Sequence, residues 1–125
     1  MAEIVIEAGG LQLVAQLDDS LTAKLVFEAL PLSASVNTWG DEIYFEIPVE
    51  IEPAADARAD VAVGDIGYWP PGNAFCVFFG PTPASSGSQP KAASPVNVFG
   101  RVIGDATRLR GVADGAAVRL SKAAD

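Results

Sequence analysis

Hydrophobic and polar residues alternate along most of the chain. Glu3-Ile4-Val5-Ile6-Glu7 and Leu11-Gln12-Leu13-Val14-Ala15-Gln16-Leu17 flank Gly9-Gly10, which predicts two strands joined as a hairpin. Asp18-Asp19-Ser20 offers cap oxygens and dipole-compatible charge to a segment whose Leu21, Leu25, Ala29 and Leu30 share one helical stripe until Pro31. A short amphipathic helix is therefore expected over 20–30. From Asp41 to Glu52 the alternation is cleanest, with Ile43, Phe45, Ile47, Val49 and Ile51 on one side. Glu42, Tyr44, Glu46, Pro48, Glu50 and Glu52 occupy the other. This predicts a strand, bent near Pro48, whose acidic side is in water.

Residues 53–60 read as a connector, and Val61, Val63, Ile66 and Tyr68 around Gly64-Asp65 predict two short strands about a tight turn. Ala74 to Phe79 is apolar at every position, so it should be a central strand covered on both faces. Residues 81–95, rich in Pro and Ser, read as a long loop. Val96–Ile103 returns to strand, Asp105 caps a helical turn through Leu109, and Ala117–Lys122 is the last strand. About eight short strands with one or two short helices predict a mainly β, single domain over residues 1–125. A closed eight-stranded barrel is the expected form, because closure removes sheet edges.

A chain of 125 residues buries roughly two thirds of its unfolded surface as one domain. Its longest apolar run, residues 74–79, falls far below the ~18 needed to cross a bilayer. Met1-Ala2-Glu3-Ile4 carries an acid where a secretory leader carries positive charge, so a cytoplasmic location is expected. The net charge of −8 argues against nucleic acid and anionic membrane as partners. Residues 1–60 hold 12 acids and 2 bases, whereas residues 61–125 hold 4 acids and 6 bases. Acidic strands are thus expected beside the basic C-terminal segment.

Histidine is absent, which removes the commonest acid-base group and metal ligand. Cys76, the single cysteine, sits among Phe75, Val77 and Phe78 without a basic neighbour and reads as an inert core thiol. The row of glutamates is explained by strand alternation, and no glycine-rich phosphate loop occurs in a strand-to-helix context. No cofactor, metal site or catalytic residue is expected. The aromatic residues Tyr68, Trp69, Phe75, Phe78, Phe79 and Phe99 are mostly core material. Tyr68 and Trp69, beside the rigid Pro70-Pro71, are candidates for the mouth of a cleft. Trp69-Pro70 is also a candidate cis bond.

Val96-Asn97-Val98-Phe99-Gly100-Arg101-Val102-Ile103 resembles a strand in the C-terminal third of cyclophilins. Gly64-Asp65-Ile66-Gly67-Tyr68-Trp69-Pro70-Pro71-Gly72-Asn73-Ala74 and Phe79-Gly80-Pro81-Thr82-Pro83 resemble signature segments of a family of small bacterial and archaeal cyclophilin-like proteins. The resemblance implies an eight-stranded barrel closed by helices. Cyclophilins are prolyl isomerases, which work against a barrier of ~18–20 kcal/mol and use an arginine on the twisted amide. Matching on Phe99-Gly100 puts Val96 at their histidine and Lys91 at their tryptophan. Matching on Pro71-Gly72 puts Tyr68 at their arginine and Cys76 at a glutamine. Residues 59–100 contain no arginine.

The expected function is a binding module for a small apolar ligand or an extended peptide, lacking the usual isomerase residues. Tyr68, Trp69 and Phe78 would form apolar walls, Asn97 a hydrogen-bonding group, and Arg101 an anchor for a carboxylate or carbonyl. One alternative is a prolyl isomerase with altered residues. Another is a homo-oligomeric interaction or subunit protein, its apolar rim filled by a second copy.

Overall fold

The computed structural model describes residues 2–123. Its strands are β1 (Glu3–Ala8), β2 (Leu11–Leu17), β3 (Leu32–Ser35), β4 (Asn37–Thr38), β5 (Glu42–Glu46), β6 (Arg58–Asp60), β7 (Asp65–Trp69), β8 (Ala74–Phe78), β9 (Lys91–Ile103) and β10 (Ala117–Lys122). One α-helix, α1 (Leu21–Ala29), and two 3-10 turns, Pro70–Gly72 and Ala106–Gly111, complete the described residues. The fold is mainly β, as the alternation predicts.

Nine strands form one path in the order β3-β10-β1-β2-β9-β7-β8-β5-β4, and β6 pairs with β9 off that path. The eight strands expected are therefore ten, and the hydrogen-bonded path is open between β3 and β4. These two ends are separated in sequence by Val36 alone. Its amide donates to Ala116 O at 2.8 Å and its carbonyl accepts from Gly115 N at 2.7 Å. A one-residue connection is too short for β3 and β4 to pair with each other, and the Val36 backbone bonds instead to the turn before β10.

Local chemistry explains most elements. Gly9 (φ 55°) and Gly10 (φ 85°) give the two positive dihedrals that a tight hairpin turn needs, setting Ala8 opposite Leu11. Ser20 caps α1, its Oγ accepting from Ala23 N at 3.2 Å. The buried stripe of α1 is Thr22, Ala23 and Val26, rotated from the expected one, and Leu21 is 68% exposed. The strand expected to reach Glu52 stops at Glu46. Ile47 N still donates to Asn73 O at 2.9 Å, but Pro48 cannot donate to a ladder, and side chains instead hold residues 49–54 onto the sheet. A single strand, β7, follows the turn residue Gly64 (φ 94°), where two strands were expected. The long loop is shorter than its composition suggests, because Lys91 and Val96 pair with Asp60 and Arg58 and so draw residues 91–95 into β9. Glu7 lies opposite Arg119 in β1 and β10, and Asp41 pairs with Arg110 at 3.1 Å, which places acids beside the basic C-terminal segment. The one cis bond among the described residues is Leu30-Pro31, so Trp69-Pro70 is trans.

The sheet buries both faces where β5, β8, β7 and β9 run together. Ile43, Phe45, Ile66, Tyr68, Phe75, Val77 and Phe99 belong to the inner core, with Phe75 stacked on Phe45 (5.2 Å) and edge-on to Phe99 (5.7 Å). On the outer face a second cluster gathers Val61, Ala74, Cys76, Phe78, Ala92 and Val96. This two-sided burial is what the all-apolar run of β8 predicts. A bulge between β7 and β9 moves the register from Ile66↔Gly100 to Gly67↔Val98. Val96 and Val98 face outward and Phe99 inward by simple alternation, and the extra residue shifts the phase so that Val102 is again inside while Arg101 is exposed. Among the described residues no helix is long and apolar enough to cross a membrane.

Candidate functional site

A cleft of about 230 Å³ opens on the outer face, above the second cluster. β5 contributes Glu42 and Tyr44, the segment before it Trp39, β7 its last residue Trp69, and β9 Ala92, Ala93 and Val96. Strand alternation produces this grouping. Glu42 and Tyr44 lie two residues apart on one strand, and their partners in β8 are Phe78 and Cys76, so all four point away from the inner core.

Trp39, Tyr44 and Trp69 are each half-buried, with part of each ring in protein and part facing the cleft. The Trp69 indole N–H donates to Ser94 Oγ at 2.7 Å, which ties the end of β7 to the start of β9. Behind that ring, a Cβ on Gly72 would fall 2.8 Å from its carbons, so the Pro-Pro-Gly turn closes against the indole only because residue 72 has no side chain. Gly67 does the same for the back wall, where a Cβ would lie 2.9 Å from Val96 Cγ2.

Glu42 is the polar exception in this apolar site. It is 6% exposed, and its Oε1 is the one buried side-chain polar atom among the described residues without a hydrogen-bond partner. Burial pushes its carboxyl up to about 7, with a small opposing effect from the Cys76 thiol. Cys76 is diagonal to Glu42 across β5 and β8. Its thiol is held well above the ordinary value, first by burial and then by the Glu42 carboxyl, consistent with an inert thiol.

The five residues singled out from sequence do not converge. Trp69 lines the cleft and Phe78 packs in the cluster beneath it. Tyr68 is fully buried on the opposite side of β7, where its hydroxyl accepts from Ile51 N at 3.1 Å and donates to Val49 O at 2.7 Å. Its polar end does want a partner, as expected, but the partner is the chain after Pro48 rather than a cleft mouth. Asn97 is also buried. It accepts from Ala54 N at 2.8 Å and donates to Glu52 O at 3.0 Å and Thr22 Oγ1 at 3.2 Å. Arg101 is exposed on a different depression with Gln16, Asp18 and Asp65. Sequence reasoning missed Trp39, Glu42, Tyr44 and the start of β9. The available signal was the run 74–79: a strand apolar on both faces needs an outer cover, and Glu42 and Tyr44 are its outward neighbours.

A cyclophilin-like family model matches residues 2–121. The hypothetical protein AF2241 from Archaeoglobus fulgidus, solved in solution, superposes with a TM-score of 0.82 at 36% identity, covering 98% of this chain and 95% of that one. McbB, solved in complex with tryptophan, superposes with a TM-score of 0.71 at 19% identity, covering 98% of this chain and 45% of its own. At that identity the likeness to McbB is one of fold, and this chain spans under half of it. No curated protein matches. With the family model spanning nearly every described residue, the chain belongs to the cyclophilin-like family.

Proposed function

We propose that this protein is a cytoplasmic binding module that takes a small, largely apolar molecule in the outer cleft between Trp39, Tyr44 and Trp69. The rolled sheet then serves as a barrel, sealed at Val36 by chain continuity. The observation that carries this reading is the convergence of three half-buried aromatic rings on an apolar cleft with one buried carboxyl at its floor. Concave apolar sites with few polar groups are the usual form of small-molecule sites. At about 230 Å³ the cleft suits a compact ligand of one ring rather than a long peptide. Trp69 keeps the role of a wall in this reading, whereas Phe78 packs in the cluster beneath the cleft. Arg101 lies outside the cleft lining, so the arginine that a prolyl isomerase turns on its substrate has no counterpart there.

The test is a titration with single-ring compounds, a proline-containing peptide and tryptophan, followed through the two indole N–H resonances. The indole signals of Trp39 and Trp69 should move together and saturate with at least one single-ring compound. The reading fails if neither signal moves at millimolar concentration of any probe. Movement with the peptide alone, together with faster cis/trans exchange of its proline, would establish an isomerase instead.

A further inference from the structure

We propose that the ligand of the outer cleft is an organic amine, bound as its ammonium ion against the Glu42 carboxylate and the faces of Trp39, Tyr44 and Trp69. This rests on the binding-module reading and names the chemical class it takes. Three observations converge on it. The first is the carboxyl itself, which lines the cleft with Oε1 buried and unpartnered. A desolvated carboxylate oxygen without a partner is costly, and a bound cation removes that cost. The second is the wall: indole and phenol rings present a negative face that attracts ammonium groups, most strongly where water is excluded. The third is the net charge of −8, which raises the local concentration of cations and repels anions.

The groups around Glu42 leave it the only acid available. From β5 the neighbour is the Tyr44 phenol, and from β8 the Cys76 thiol, which its surroundings keep protonated. β9 offers Ala92, Ala93 and Val96, and β7 offers Trp69. Asp41, next to Glu42 in sequence, is engaged by Arg110 at 3.1 Å. The last torsion of a glutamate is broad, so either carboxyl oxygen can be presented to a ligand.

Proton balance follows. Below neutrality the free carboxyl is largely protonated, so the ammonium ion enters, Glu42 loses its proton to solvent, and an N–H···O⁻ bond forms. Binding then releases up to one proton and strengthens by about tenfold per pH unit until Glu42 is ionised in the free protein.

The experiment is calorimetric titration of the whole protein with 2-phenylethylamine and its neutral counterpart 2-phenylethanol, from about pH 5.5 to about pH 8 in two buffers of different ionisation enthalpy. The amine should bind at least about tenfold tighter than the alcohol at the upper pH, weaken toward the lower, and release close to one proton there. Glu42→Gln should bring the amine down to the alcohol's affinity, and the pH profile of the unaltered protein carries the test should that variant fold poorly. Equal affinities at the upper pH, or an amine affinity that does not fall toward the lower pH, would overturn the amine while leaving the cleft. If neither compound binds, the cleft reading fails and the amine with it.

Discussion

The hydroxyl of Tyr68 and the carbonyl of Val49 meet at 2.7 Å, across the point where Pro48 has ended the ladder of β5. The same oxygen accepts from Ile51 N at 3.1 Å, so one side chain takes over the pairing that a sheet partner would supply. Tyr68→Phe leaves a buried N–H and a carbonyl unsatisfied, which costs about 1–3 kcal/mol. Urea unfolding should show that loss, and the Trp39 and Trp69 indole signals should keep their response to ligand.

Asn97 fastens the same segment further along, through Glu52 and Ala54, and also reaches α1 through Thr22. Asn97→Ala removes three bonds at a buried position. We expect a loss of about 2–4 kcal/mol, at the upper end for a single polar deletion. Amide hydrogen exchange should quicken at Ala54.

Glu42 makes stability depend on pH. The unfolded chain ionises it near its ordinary value of 4.5 and the native protein near 7, so in that interval the unfolded state holds fewer protons. Its contribution is fully present below pH 4.5 and lost as the pH rises through 7. The total is about 3 kcal/mol. Glu42→Gln lacks this term, so its stability relative to the unaltered protein should climb by that amount between acid and mildly alkaline solution. Parallel denaturation curves for the two proteins at all pH values would contradict it.

Gly67→Ala places a methyl against Val96 from behind the cleft, at 2.9 Å from Cγ2. Val96 must shift toward the ligand space or the strands must part, at a cost of about 1–3 kcal/mol. The variant should bind single-ring compounds more weakly than the unaltered protein, as read by the same indole titration.

The hairpin of β1 and β2, the cap at Ser20, the doubly covered β8 and the last strand were legible because each is a local pattern with a local cause. Alternation also assigned Ile43 and Phe45 to the core correctly. It misplaced Glu42, because period two says which residues leave the inner core and not what lies outside. Water and a second apolar layer look alike from the strand's own sequence. The cover comes from residues 91–96, some fifty positions away in the chain, and that segment carries the composition of a loop. Tyr68 and Asn97 were singled out for their polar ends. Those ends do have specific partners, but most of the partners are backbone groups of residues 49–54, which no spacing in the sequence reveals.

Tyr68 and Trp69 are neighbours on one strand with opposite outlooks, the first bolting the architecture and the second lining the outer cleft. The surface of that cleft can therefore be altered at residue 69 and its companions without renegotiating the frame that residue 68 secures. The division lets the outer lining vary while the skeleton stays the same.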